Sequence, residues 1–411
     1  MKEYVIIGNG TAAVAAIEGI RSIDKKGKIT VVSEEEYAVY CRPLISYYLE
    51  GKTTLEKMNY RPKDFYEKNG CAVLYGKKAE KVDTGKKSVS LNDGTSLHYD
   101  ELCFATGSSP FVPPFSGLDS VEKKFGFMTL DDTLALEKAI TPSSRVLIVG
   151  AGLIGLKCAE GLADRVASIT VCDLADRVLS SILDSECASL MQNKLEEHGI
   201  SLMLGDTVSE FHKNDAVMKS GTAVPFDVLV LAVGVRPNIA LAKECGAECN
   251  RGIIVDVYMK TTVSDIFAAG DCTEGYDASI GKNRVLAILP NAYMQGHTAG
   301  MNMAGSHEEY VSAIPMNSIG FFGFHAMSAG SYEGELYEER GCDFIKRMYV
   351  KDDRLFGFML VGNCTERAGI LTNLIREKTP LSSINFEILK KVTTTAAFSH
   401  ENRRKKFGSV V

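Results

Sequence analysis

The chain has 411 residues, 45% hydrophobic and 24% charged, with a formal net charge of −6. That length predicts two or three domains, and the acidic balance argues against nucleic acid as a partner. No apolar run reaches the ~18 residues of a membrane span, and the one at the N-terminus is too short for a signal peptide, so the expected compartment is the cytoplasm.

The opening run, Tyr4-Val5-Ile6-Ile7, reads as a strand. Gly8-Asn9-Gly10-Thr11-Ala12-Ala13 turns into a helix rich in Ala and Ile, and a second strand, Ile29-Thr30-Val31-Val32, ends at Ser33-Glu34. Strand, glycine turn, helix, strand and acid in that order mark a dinucleotide fold. Gly8 permits the tight turn, Gly10 lets the backbone approach a pyrophosphate, and Ala13 keeps the helix close to the strand. Thr11 and Ala12 open the helix, whose free N–H groups and partial positive charge face the phosphates. Glu34 is expected to accept hydrogen bonds from a ribose 2′-hydroxyl.

Within Tyr37–Ser46, Pro43 suits the first turn of a helix beginning near the cofactor. Residues 71–104 read as a β-meander with turns at Asp83-Thr84-Gly85 and Asn92-Asp93-Gly94. Its last strand, Glu101-Leu102-Cys103-Phe104, runs into Ala105-Thr106-Gly107. Residues 108–117 hold three prolines and read as a linker.

A second fingerprint follows the strand Arg145-Val146-Leu147-Ile148-Val149. Gly150-Ala151-Gly152-Leu153-Ile154-Gly155 is a full G-x-G-x-x-G. After a helix and the strand Ser168–Cys172 comes Asp173, at close to the ~20-residue spacing expected of a ribose-binding acid. Its charge would repel a 2′-phosphate, so NAD(H) is predicted over NADP(H). Two such folds in one chain suggest hydride transfer between two bound nucleotides.

Strand Val228–Leu231 leads into Ala232-Val233-Gly234, which parallels Ala105-Thr106-Gly107; both would close a sheet beside a nucleotide. The strand through Ile266-Phe267-Ala268 ends in Gly270-Asp271, placing Asp271 at the carboxyl end of the sheet, where ligands bind. From about residue 313 the pattern becomes a smaller α+β domain, with strands over 346–350 and 355–361 and a helix over 365–376. The tail carries Arg403-Arg404-Lys405-Lys406. It reads as a solvated run or as a surface that steers an acidic partner.

The eleven cysteines include no C-x-x-C pair, and Cys245 with Cys249 lacks the second pair a metal site needs. Reduced thiols filling small core spaces are expected, with no metal bound by this chain.

In combination these motifs resemble the two-dinucleotide flavoprotein reductases, the pyridine nucleotide–disulfide oxidoreductase superfamily, in its NADH:rubredoxin reductase, NADH oxidase and nitrite-reductase flavin-domain branch. Arg236-Pro237-Asn238, Pro290-Asn291-Ala292 with Gln295-Gly296, Asn317-Ser318 before Phe322-Gly323, and Arg367-Ala368-Gly369 add to the likeness. The resemblance implies an α/β architecture: two Rossmann-like dinucleotide-binding domains of three-layer ββα type and a small C-terminal α+β domain. It implies an FAD-binding domain over 1–112 and 241–312, an NAD-binding domain over 113–240, and a C-terminal interface domain over 313–411. FAD would occupy the first fold, with NAD(H) as cosubstrate in the second. Asp271 would hold the FAD ribityl chain. The helix entered at Asn291-Ala292 would aim its N-terminus at the flavin pyrimidine, where reduced flavin carries negative charge. Arg42 and Pro43 would pack against the isoalloxazine, and Ala79 is assigned to the same site.

The acceptor is read from the segment after Glu34. Disulfide reductases of this family carry C-x-x-x-x-C there; here Ser46 follows Cys41 at that spacing, so the dithiol is absent. Two readings of Cys41 remain: a redox thiol as in NADH oxidases, peroxidases and coenzyme A disulfide reductases, or a passive residue beside the flavin. Arg42-Pro43-Leu44-Ile45-Ser46 matches the Arg-Pro-Leu-x-Ser of rubredoxin reductases, which use no thiol. Two positions depart from that pattern: Tyr47 stands where a Lys is usual and Lys157 where a Glu is usual. Lys157 is thus a candidate for neutralising reduced flavin or an NADH phosphate. The expected activity is an FAD-dependent NADH oxidoreductase serving an iron protein such as rubredoxin or ferredoxin, with an iron–sulfur partner subunit or a homodimer as the expected assembly.

Overall fold

A computed structural model describes residues 1–399; the basic run 403–406 lies outside them. The first apolar strand sits at the centre of a five-stranded parallel sheet. Its order is Ile266–Ala268, Glu101–Phe104, Glu3–Ile7, Lys28–Val32, Cys71–Leu74. Val5, Ile6, Ile7, Ile29, Val31 and Val32 are all buried, as strands covered on both faces require. A second parallel sheet runs Ile200–Leu204, Ser168–Asp173, Arg145–Val149, Val228–Leu231, Lys124–Phe125. Each parallel sheet is accompanied by a three-stranded antiparallel meander, at 79–98 and 208–225.

The two halves repeat each other closely. Gly8 N donates to Val32 O and Gly150 N to Cys172 O, both at 2.8 Å. At the opposite end of each central strand, an aspartate accepts the first backbone N–H: Glu3 N to Asp100 Oδ2 (2.7 Å) and Arg145 N to Asp227 Oδ2 (2.9 Å). The two crossovers between the halves pair as short antiparallel strands, Ser108–Pro110 with Val235–Pro237.

Three expectations need adjustment. The meander covers only 79–98, because Cys71–Leu74 and Glu101–Phe104 join the parallel sheet on either side; short β-branched and apolar runs do not disclose their pairing partner. The proline-rich stretch begins with a paired strand rather than free linker. The late helix spans Gly369–Arg376, starting after a left-handed Arg367 (φ 58°). The C-terminal sheet is five-stranded and antiparallel, in the order Met316–Phe321, Phe324–Gly330, Arg354–Val361, Ile345–Lys351, Glu335–Arg340. Together these elements make the α/β architecture of two dinucleotide folds and a small α+β domain. No helix among the described residues is long and apolar enough to cross a membrane.

Candidate active site

The first phosphate helix, Thr11–Ile23, starts at Gly10, which offers no side-chain cap. Gly8 holds φ of 112°, and a Cβ on it would lie 2.1 Å from Ala105 O. Gly10 is different: nothing lies within 4 Å of where its Cβ would stand. The turn is therefore closed behind Gly8 and open in front of Gly10, with uncapped N–H groups facing the opening. A pyrophosphate fits that space.

A long helix, Leu289–Met303, lies against the first phosphate helix at backbone contact. A Cβ on Gly296 would meet Ala12 O at 2.1 Å, and one on Gly300 would meet Ala16 O at 2.1 Å. The neighbouring Gln295 Oε1 accepts Gly270 N and Thr273 Oγ1, each at 2.9 Å. One helix thus fixes both the phosphate turn and the loop that carries Asp271. At its start, Asn291 Nδ2 donates to Leu286 O (2.9 Å), while Asn291 Oδ1 is buried with no partner. A buried unpaired acceptor is open to a donor from a bound group or a water, here next to Ala292 at the helix N-terminus. Burial raises the Asp271 carboxyl above its ordinary value, with Arg42 and Ser108 opposing.

Arg42 donates to Glu35 Oε1 and to Met128 O, both at 2.9 Å, and lies 5.2 Å from the Tyr40 ring centre. Burial alone would lower the guanidinium; Glu35, Tyr40 and Asp271 outweigh it and raise it. Pro43 immediately precedes the bridging helix Leu44–Leu49. This segment ties the halves together through Tyr37 to Asp131 (2.6 Å), Leu130 N to Tyr40 Oη (3.0 Å), Tyr48 to Glu137 (3.0 Å) and Arg165 to Leu49 O (2.6 Å). Thr106 and Gly107 meet the other crossover: Thr106 Oγ1 donates to Asn238 O (2.8 Å), and Asn238 N to Gly107 O (2.9 Å). Ala79 and Ala105 are buried in the same core.

The second phosphate helix, Leu153–Leu162, repeats the first turn. Gly150 has φ of 117° with Ala232 O 2.2 Å from its would-be Cβ, and Gly152 faces open space. Gly155 packs on Gly150 O, and Leu153 and Ile154 form the first helical turn, half-buried. Asp173 Oδ2 accepts Ala151 N (2.7 Å) and Oδ1 accepts Ala175 N (2.8 Å), so the acid is fastened to the turn. Val233 and Gly234 (φ 116°) line the next crossover. In the first half, strand register places Ser33 opposite the position of Asp173; Glu34 follows it, exposed and 3.4 Å from Lys78 Nζ.

Cys41 is half-buried, and burial raises its thiol above the ordinary value, with only the Leu44 amide opposing. All eleven cysteines are free. Lys157 donates to Glu160 and to Gly320 O and lies over the Tyr47 ring, so the two positions that depart from the rubredoxin-reductase pattern do face each other. No group of three or more His, Cys, Asp or Glu among the described residues could hold a metal ion. Sequence reasoning missed Glu35, Tyr40 and Glu160. Glu160 carried a faint signal, an acid one turn after Lys157 inside an otherwise apolar helix.

Two dinucleotide cradles, one backed by the long helix and one by the shorter bridging helix, define an NAD-linked flavoprotein oxidoreductase. The chain belongs to the pyridine nucleotide-disulphide oxidoreductase family, whose model matches residues 2–296; FAD is its cofactor and NAD(H) its cosubstrate. It is 32% identical to the epsilon subunit of NADH-dependent phenylglyoxylate dehydrogenase from Aromatoleum evansii, over 93% of each chain. It is 30% identical to the assimilatory nitrate reductase electron transfer subunit of Bacillus subtilis, matching 97% of this chain but spanning only 52% of that protein. A putidaredoxin reductase–putidaredoxin complex shares the fold with a TM-score of 0.87 at 22% identity, covering 100% of this chain and 99% of the other.

Proposed function

We propose that this chain passes electrons from NADH through FAD to an iron protein of the rubredoxin or ferredoxin kind, as the NAD-linked subunit of a larger redox assembly. The observation that carries this reading is the state of Cys41. A redox thiol needs a lowered pKa or a resolving partner; this thiol is raised by burial, and the position a second cysteine would take holds Ser46, whose hydroxyl donates to Pro43 O (3.2 Å). The names of the A. evansii and B. subtilis relatives, a dehydrogenase subunit and an electron transfer subunit, favour the same assembly.

When bound, FAD accepts a hydride and gives up electrons one at a time. The chain's own residues bind and orient. Gly8, Gly10, Thr11, Ala12 and Ala13 would hold the FAD pyrophosphate, Glu34 its ribose, and Asp271 its ribityl chain. Arg42, Pro43, Asn291 and Ala292 would surround the ring. Gly150–Gly155 and Asp173 would hold NADH, with Asp173 selecting against a 2′-phosphate. In this scheme the FAD-binding unit is 1–112 with 241–312, the NAD-binding unit 113–240, and 313–411 the interface domain. No side chain need act as acid or base in the hydride step, since placement and exclusion of water suffice.

The experiment is purification from the native host under anaerobic conditions. An iron-containing protein should copurify and should be reduced by NADH only when this chain is present. A chain that purifies alone and turns over peroxide or coenzyme A disulfide through Cys41 would replace this reading with the thiol one.

A further inference from the structure

Lys157 stands two residues past the last fingerprint glycine, one turn into the second phosphate helix. Its ammonium donates to Glu160 Oε2 (2.6 Å) and Gly320 O (2.5 Å). It also lies 4.9 Å from the ring centre of Phe321 and 5.5 Å from that of Tyr47. The other carboxylate oxygen of Glu160, a residue 8% exposed, accepts the Phe322 amide at 2.7 Å. Phe322 is left-handed, with φ of 50°, and stacks on His198 at 4.0 Å between centroids. An aromatic residue in that conformation persists only where its surroundings hold it.

Three parts of the chain converge on this one ammonium. The 320–322 turn belongs to the C-terminal sheet, Tyr47 to the bridging helix of the FAD side, and Lys157 and Glu160 to the NAD side. The bridging helix runs close to the second phosphate helix, where a Cβ on Gly161 would lie 3.0 Å from Ser46 O. We propose that Lys157 and Glu160 are positioning residues for hydride transfer: they latch the 320–322 turn and Tyr47 onto the second phosphate helix and so set the spacing between NADH and flavin. Two of the ammonium's donors are engaged by Glu160 and Gly320 and two ring faces lie nearby, which leaves it poorly placed to reach a phosphate. This inference rests on the cofactor assignment and not on the acceptor, so its test stops at the reductive half-reaction.

The test compares K157M, E160Q and the double variant with the parent as FAD-loaded proteins. Three quantities are read: the limiting rate of flavin reduction by NADH in anaerobic stopped flow, the NADH dissociation constant, and hydrogen exchange in residues 316–324. A misplacement of about 1 Å costs on the order of 100-fold, so a loosened latch should slow the limiting rate by about 10-fold or more. The NADH dissociation constant should stay within about 2-fold, because no contact to the nucleotide is removed. Exchange in 316–324 should rise in every variant, and the double variant should be no slower than the worse single one, as expected of groups acting as a unit. Weaker NADH binding at an unchanged limiting rate would make Lys157 a phosphate ligand and overturn the proposal. Faster exchange with an unchanged rate, or unchanged exchange, would overturn it too. Should K157M fail to retain FAD, E160Q is read by the same criteria.

Discussion

The two glycine turns are nearly superimposable in design and opposite in surroundings. Gly8 and Gly150 back onto Ala105 O and Ala232 O at 2.1 and 2.2 Å from a would-be Cβ, and Gly10 and Gly152 both face open space. The first phosphate helix, however, is covered by the long helix through glycine-to-backbone contacts, and Ala12 through Ile17 are all buried. The second is covered by the shorter bridging helix and by one turn of the C-terminal sheet. The difference lies in how closely backbones meet, 2.1 Å from a would-be Cβ on Gly296 and 3.0 Å from one on Gly161; under the proposed assignment the tighter contact backs a resident FAD and the looser one a nucleotide that enters and leaves with each turnover.

Substitution at those glycines breaks the comparison most sharply. Gly296→Ala puts a Cβ 2.1 Å from the Ala12 carbonyl. Fixed backbone cannot yield cheaply, so stability should fall by about 2–3 kcal/mol, and most FAD should be lost on purification. Gly161→Ala, with 3.0 Å to Ser46 O, should cost under about 1 kcal/mol and leave the protein yellow. Urea unfolding and the ratio of flavin to protein absorbance check both. Equal losses in the two variants would mean that cover does not distinguish the sites.

Next in size is the acid whose register position in the first half is held by a serine. Asp173 accepts two backbone N–H groups, whereas Ser33 occupies the matching register position. Asp173→Asn leaves one of those donors facing an amide N–H and removes the charge; kcat/KM for NADH should drop about 10-fold, near 1.4 kcal/mol, while that for NADPH drops less. Steady-state rates with both nucleotides decide it.

The aspartates at the opposite ends of the sheets give a smaller contrast. Asp227 holds the Arg145 guanidinium as well as its N–H, which depresses its carboxyl to about 2; Asp100 meets Glu3 at the matching place. A depressed carboxyl stabilises the fold above its unfolded pKa and loses that contribution as the pH falls through the folded one. The stability gap between the parent and Asp227→Asn should therefore be constant near neutrality and close between about pH 4 and pH 2. Thermal unfolding across that range measures it, and a gap that persists at pH 2 would assign the effect to packing.

Much of this contrast was legible in the sequence. Both fingerprints, Asp173, the parallel between Ala105-Thr106-Gly107 and Ala232-Val233-Gly234, and the change of character near residue 313 follow from local spacing and glycine chemistry. The sheet order was not legible, because a short apolar strand such as Cys71–Leu74 reads alike in a meander and in a parallel sheet. The Arg42–Met128 and Lys157–Gly320 contacts were also hidden, since they join residues 86 and 163 positions apart through side-chain reach, which no periodicity records. Glu34, the acid after the second strand, lies one residue past the register position that Asp173 takes in the second half.

The smallest expected effect bears on the central claim. NADH-reduced protein, mixed anaerobically with rubredoxin or ferredoxin, peroxide, or coenzyme A disulfide, reports its acceptor by the rate of flavin reoxidation. With electrons leaving through the flavin alone, the iron protein should be the fastest oxidant and Cys41→Ser should change that rate by less than about 2-fold, because a half-buried thiol raised above its ordinary value takes no part. Reoxidation by peroxide or the disulfide orders of magnitude faster, and abolished in Cys41→Ser, would contradict the account.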